Sequence, residues 1–481
     1  MSIKKNFILN LIKILVNLIF PLITFPYVSR ILLPEGIGRI TYAQSINNYF
    51  LLLINLGIPL YGIREIARVQ NDKLEKSKVF SEILILNIFT TIVGIIIYFI
   101  FYQLNIITDD KEIFLIFSTV LLFNFLSVDW FFQGIEDYKY ITIRIIIIKI
   151  ISFIFLVIFV KEKSDIYKYV IIVVFSLVGS NFFNIIRALK LVKLKTRGLD
   201  IKRHLKGILI IFSMNLAISI YTNLDSVMLG SYGSKYALGI YSAASKMIHL
   251  ILGIITSLGA VLLPRISNYI SEKKEDEVKV ILEKTFSFLV ALIIPSIIGL
   301  HFTANEIIRL FAGKEYIEAI LTLRILSLII LFIGFSNFVG IQILYPRGEE
   351  KKVFYSVLIG AIVNCSFNLL LIPKYLQNGA AIATCIAEFI VIVVQVYLGK
   401  KYLNFKVFNW NNFKFLISSC IMGILLYFIQ DFKTNMLMSL IIKIILGSGS
   451  YILILLLLKE ENLYEIIKKI LLRFRRKDEK I

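Results

Sequence analysis

Lys246, His249 and Glu388 carry side chains that bind anions, cations or protons, yet each sits inside a run of about twenty apolar residues, where an ionised group is costly unless protein or water receives it. Their spacing gives them polar company. Ser242, Ser245, Lys246, His249, Gly253 and Thr256 recur on one helical face, as do Thr384, Glu388 and Gln395. The first apolar run aligns Asn10, Lys13, Asn17, Pro21 and Thr24, and the second aligns Gln44, Asn48 and Asn55. A later run aligns Asn215, Ser219, Thr222, Asn223 and Ser226, with Asp225 directed to the side. A lone Asn or Ser in such a stripe is explained by an interhelical hydrogen bond of about 1 kcal/mol. Lys246, His249, Glu388 and Asp225 ask for more, and the economical reading is a hydrated cleft between groups of helices.

Covalent chemistry finds little support. The chain has 3 His, no P-loop, no glycine-rich phosphate cradle and no nucleophile elbow. Cys365, Cys385 and Cys420 all lie in apolar runs without metal-like spacing, so neither a disulfide framework nor a metal site is expected. No resident cofactor and no enzymatic activity are expected.

The elements that must position these side chains are membrane helices. Hydrophobic residues make up 58% of the 481 residues and charged ones 18%, against about 45–50% and 25% in soluble domains; the mean hydropathy is +0.83. The fold class is therefore an all-α polytopic membrane protein, with about 14 apolar runs long enough to cross a bilayer. They fall near 8–32, 40–60, 80–103, 112–132, 141–160, 166–187, 207–230, 237–263, 285–302, 320–345, 353–373, 378–399, 414–430 and 436–458. The first exceeds a signal peptide's apolar core and lacks its cleavage site, so it is expected to stay in place. Lys and Arg crowd alternate loops, notably 187–206 and 459–480, which places both termini in the cytoplasm. The net charge of +21 is then a topology signal with some attraction to anionic membrane lipids, and nucleic-acid binding is not expected. Lys13, Arg144 and Lys149 read as snorkelling cations near the cytoplasmic face, and Asp129 beside Trp130 as an interface belt.

A loose internal repeat is present. "GIGRITYAQSINNYFLLLINLGIPLYGIREIAR" at 36–68 and "ALGIYSAASKMIHLILGIITSLGAVLLPRIS" at 237–267 share a glycine, a Tyr beside small residues, a long apolar run ending near Leu-Gly, and an Arg, at an offset of about 201 residues. An even number of spans separates the copies, which predicts parallel repeats about an axis along the membrane normal: an N-lobe at 1–190, a cytoplasmic linker at 191–206, a C-lobe at 207–400, and two further helices with a basic tail at 401–481. Pro21 and Pro26 lie in the first helix and are candidate hinges, with the outer turn into the second helix at Pro34–Gly38. Two lobes with intramembrane charges and kinked helices describe a secondary transporter working by alternating access.

The segments "FPLITFPYVSRILLPEGIGRITYAQSINNYF" at 20–50, "LGIPLYGIREIA" at 56–67, "VDWFFQGIEDYKYITIR" at 128–144, "NLDSVMLG" at 223–230 and "LGIYSAASKM" at 238–247 resemble bacterial oligosaccharide-lipid flippases, the O-antigen and capsule repeat-unit translocases. The likeness covers most of the chain and is strongest over the first four helices. It implies two pseudo-symmetric six-helix lobes in a V, two extra C-terminal helices, and a location in the bacterial cytoplasmic membrane. The implied substrate is an undecaprenyl-diphosphate-linked glycan moved to the outer leaflet, with polysaccharide polymerase and chain-length machinery as partners and a monomer as the working unit. A diphosphate wants cations, for which Arg30, Arg64, Lys246 and Arg324 are candidates, while His249, Glu388, Asn48 and Asn223 would meet the rest of the substrate. Peptidoglycan-precursor flippases of the same superfamily can carry a sodium site whose pattern maps onto Asp225, Asn364, Asn368 and Thr384; Asn368 stands where that pattern has a carboxylate, which puts Na+ coupling in doubt and leaves H+ open. The alternatives are a cation-coupled drug extruder or precursor flippase of that superfamily, or a membrane scaffold without transport.

Overall fold

The computed structural model describes residues 3–104, 110–403, 409–429 and 435–460. The expected basic tail beyond 460 lies outside the described residues. Helices α1 (Ile3–Asn55), α2 (Ile58–Arg68), α3 (Lys73–Gln103), α4 (Lys111–Leu122), α5 (Asp129–Gly134), α6 (Tyr138–Phe159), α7 (Ile166–Val178), α8 (Asn181–Leu191) and α9 (Lys202–Tyr232) are followed by α10 (Lys235–Ser271) and α11 (Glu275–Phe311). Then come α12 (Ala319–Leu326), α13 (Ile329–Asn337), α14 (Glu350–Gly399), α15 (Trp410–Phe428) and α16 (Met436–Leu457). The chain is a polytopic all-α membrane protein, and 11 helical runs among the described residues are long and apolar enough to cross a membrane.

Two of those runs are more than one crossing long. A straight helix the length of α1 would reach about 80 Å, against a hydrocarbon core of about 30 Å. The backbone leaves helical geometry inside α1 only at Leu33 (φ 61°, ψ 174°), where the residue before a proline is driven out of the α region. The helix resumes at once on Pro34, a residue suited to a first helical position, so the expected Pro34–Gly38 turn is corrected to a break at Leu33. Pro21 and Pro26 sit within continuous helix. In α14 the break is at Leu376 (φ 48°, ψ −126°), and the Gln395 amide donates to Ser356 Oγ at 3.1 Å, which brings the two arms back against each other. A further break, Leu56 (φ 44°) and Gly57 (φ 85°), ends α1 at Asn55 where an unbroken helix to 60 was expected.

Contacts divide the chain into two compact units, Met1–Ser242 and Ala243–Ile481. The first thus includes α9 and the start of α10, which the lobe boundary expected at 191–206 would have given to the C-lobe. Its core gathers Phe80, Trp130, Phe131 and Phe132 with Ile58, Tyr61 and Ile66. Trp130 is buried rather than at an interface, and Gly62 lies flat against its indole. Arg144 does not snorkel: it donates to Asp129 at 2.7 Å, and Asn184 donates to the same carboxylate oxygen at 2.7 Å. In the second unit α11, α15 and α16 pack around Val290, Phe415 and Leu455. A buried ion pair joins Lys443 of α16 to Glu306 of α11 at 2.5 Å, and Ser439 also donates to Glu306.

Candidate functional site: two intramembrane polar ladders

The polar stripe of the second arm of α1 meets that of α9 within the first unit. Near Pro34, the arm and the start of α10 touch backbone to backbone: a Cβ on Gly38 would run into the Lys235 carbonyl, and one on Gly239 into the Pro34 carbonyl. One turn along, Ser242 and Thr41 share a hydrogen bond of 3.3 Å. Gly38 and Gly239, like Thr41 and Ser242, are the same 201 residues apart as the two similar sequence stretches at 36–68 and 237–267. Tyr42 bonds Ser231 at 3.0 Å under the Lys235 ammonium, 3.3 Å from the ring centroid. Next, Asn48 donates to Asn223 at 3.3 Å, and Asn223 donates to the Ser219 carbonyl at 3.1 Å. The ladder ends at the α1–α2 break. Asp225 is buried beside it and accepts from Tyr241 at 2.9 Å.

Beyond that break, Arg64 is exposed, bonds Glu65 and covers the Tyr61 ring at 5.0 Å. Tyr61 bonds His204 Nδ1 at 2.8 Å, His204 Nε2 bonds Glu82 at 2.8 Å, and Arg203 donates to Glu82 from two nitrogens. The backbone amides of Lys193, Lys195 and Asp200 donate to Ser77, Ser81 and Glu82. The linker expected at 191–206 is therefore strapped along α3 by side chains on successive turns. Arg30 is also exposed and donates to the Pro26 carbonyl one turn back.

The second unit has its own ladder, between the two arms of α14. The Ser356–Gln395 bond sets the register. Counted from that bond at helical rise, Asn364 falls at the level of Glu388 and Asn368 at that of Thr384. Asn364, Asn368 and Glu388 are buried, and Asn368 donates its amide to Asn364 Oδ1 at 3.0 Å. Of the residues matching a sodium site, Asn364, Asn368 and Thr384 belong to the second unit and Asp225 to the first. On α10, Lys246 is half-buried and His249 exposed. Arg324 is half-buried on α12 and donates to the His301 carbonyl at 3.1 Å. Outside the spans, Glu349 is held below the usual carboxylate range by Lys352 and by a hydrogen bond from Tyr402.

Sequence periodicity found Asn48, Asn55, Asn215, Ser219 and Asn223. It missed Gly38, Gly239, Thr41, Tyr42, Lys235, Tyr241 and His204; the equal offset of the repeat copies was the signal that pointed to the first three.

The family model described as polysaccharide biosynthesis protein matches residues 3–270, and a MatE model matches 210–370. The capsular polysaccharide biosynthesis protein CapF of Staphylococcus aureus is 28% identical over 82% of this chain and 98% of its own length. A candidate O-antigen transporter of Escherichia coli (strain K12) is 27% identical over 81% of this chain and 95% of its own. Among solved structures, the lipid II flippase MurJ in an inward closed conformation superposes with a TM-score of 0.65 at 21% identity, covering 88% of this chain and 96% of that one, a likeness of fold. With more than half of its length matched, the chain belongs to the polysaccharide biosynthesis protein family.

Proposed function

We propose that this protein is a flippase that carries undecaprenyl-diphosphate-linked oligosaccharide repeat units from the cytoplasmic to the outer leaflet of a bacterial cytoplasmic membrane, for O-antigen, capsule or exopolysaccharide synthesis. The carrying observation is the first-unit ladder. In a chain of this family, a wall of amides and hydroxyls suits neutral sugars, because each group keeps spare donor or acceptor capacity beyond its bond within the ladder, capacity that an apolar drug cannot use. Arg30 and Arg64 in the first unit, and Lys246 and Arg324 in the second, are the candidate cations for the diphosphate, with His249 one turn along α10 from Lys246. The substrate crosses without covalent change, by alternating access about Pro21 and Pro26. Both termini face the cytoplasm, the monomer is the working unit, and anionic lipids, polymerase and chain-length machinery are its neighbours.

Transport of this kind needs a drive, and the second ladder supports coupling to a cation. Its oxygens suit Na+ in type, but the amide of Asn368 already engages Asn364 Oδ1 and contributes no carboxylate. That favours H+, taken up on the buried carboxylate of Glu388, over Na+ held by Asp225, Asn364, Asn368 and Thr384. The test is reconstitution of the purified protein in vesicles with the lipid-linked oligosaccharide that accumulates when the protein is depleted. Access of an added glycosidase should rise with time, faster under a pH gradient, and Glu388→Gln should abolish the gradient's effect. Vesicles in which the wild-type protein moves no glycolipid would overturn the reading.

A further inference from the structure

The first-unit ladder ends in a recess whose chemistry differs from that of a diphosphate site. A cavity of about 310 Å³ is lined by Leu52, Asn55, Gly57, Pro59, Asn215, Ser219 and Thr222, with no ionisable side chain among them. Its volume is at the lower end for ligand pockets, room for a single pyranose ring and too little for a repeat unit.

The fold keeps hydrogen-bonding capacity at this point. Gly57, with φ of 85°, passes so close to α9 that a Cβ would meet Ile211 and the Phe212 amide; only glycine allows α1 to break against α9 here. Residue 59 is proline, so the Asn55 carbonyl has no amide four residues on to accept from. The Asn55 side-chain oxygen is held by Asn124 at 3.0 Å, which directs its NH2 away from that bond. Ser219 Oγ accepts from Asn223 at 3.4 Å, leaving its hydroxyl hydrogen able to donate. Two amides, two hydroxyls and a backbone acceptor beside the apolar faces of Leu52 and Pro59 match a polyol whose ring carries both hydroxyls and C–H faces.

We propose that this recess is a sugar subsite: it holds one neutral pyranose of the lipid-linked oligosaccharide and sets which glycans are accepted. This rests on the flippase reading and adds a location and a specificity to it. The probes are the lipid-linked oligosaccharide extracted from depleted cells and bare undecaprenyl diphosphate, each titrated against the full-length protein in detergent. The variants are Asn215→Leu and Ser219→Ala, with Thr222→Ser as the conservative control. The wild type should bind the glycolipid at least tenfold more tightly than the bare lipid. Asn215→Leu and Ser219→Ala should lose that tenfold preference while binding the bare lipid unchanged, and Thr222→Ser should keep it. Equal binding of both probes by the wild type, an unchanged preference in both loss variants, or equal loss of both probes would overturn the subsite. A wild-type protein that binds neither probe would instead count against the flippase reading.

Discussion

Replacing Gly38 or Gly239 by alanine tests the close crossing in the first unit. An added Cβ at Gly38 would overlap the Lys235 carbonyl and lie 3.0 Å from the Gly239 nitrogen, and one at Gly239 would overlap the Pro34 carbonyl with Pro34 Cα at 2.9 Å. Every atom met is backbone, so no rotamer change relieves the clash. The helices must part toward carbon contact distances of about 3.5–4.0 Å. Overpacking of this kind costs about 1–3 kcal/mol, and rigid partners place it at the upper end, where about 3 kcal/mol is roughly a 150-fold shift in equilibrium. Alanine also favours helix over glycine by about 1 kcal/mol; that gain is present with the seam closed or parted and cancels between the two. The assay is oxidative cross-linking of Thr41→Cys to Ser242→Cys, whose native hydroxyls are 3.3 Å apart, in protein whose three free cysteines, Cys365, Cys385 and Cys420, are replaced. Either alanine should slow cross-linking at least tenfold, and the pair should be far from additive because both relieve one contact. Cross-linking of both alanine variants at the parent rate would refute the reasoning.

Lys443→Ala should lower the stability by about 3–5 kcal/mol, because it leaves the buried Glu306 charge without its partner; thermal unfolding in detergent checks this, and Lys443→Met with Glu306→Leu should recover most of the loss. Glu82→Gln removes the charge that Arg203 and His204 share and should cost about 2–4 kcal/mol. Its readout is faster proteolysis at Lys193, Lys195 and Arg197, since the strap along α3 would loosen. Pro26→Ala should slow flipping more than it lowers expression, measured by the vesicle assay beside membrane yield, because it restores an amide donor and stiffens the first arm of α1.

The periodic signals carried far because hydrocarbon penalises a misplaced polar group. Asn48 and Asn223 were read in two separate stripes, and they meet in one ladder, with Asn55, Asn215 and Ser219 lining the recess at its end. What the stripes could not show was which stripe faces which. That depends on crossing geometry, and here it is set by the glycines that let backbones meet. Breaks were harder to place. Pro21 and Pro26 draw the eye in the sequence, yet the backbone departs from helix at Leu33, Leu56 and Leu376, ordinary residues at positive φ that no residue-type rule marks out. Charges misled in the opposite sense. Arg144 and Asp129 each had a plausible surface role alone, and only their proximity across α5 and α6 shows them to be partners.

The contact between repeat-equivalent residues also bears on mechanism. A seam built from Gly38 against Gly239 and Thr41 against Ser242 brings together residues that all stand 201 positions apart. At the glycines the contact is backbone against backbone, and the neighbouring Thr–Ser bond adds about 1 kcal/mol. Because a Cβ at either glycine would run into backbone, the crossing is narrow in the sequences that can form it. The alanine variants should therefore change the rate of transport, and the sugar-recess variants which glycan is transported, two effects that one vesicle assay can separate.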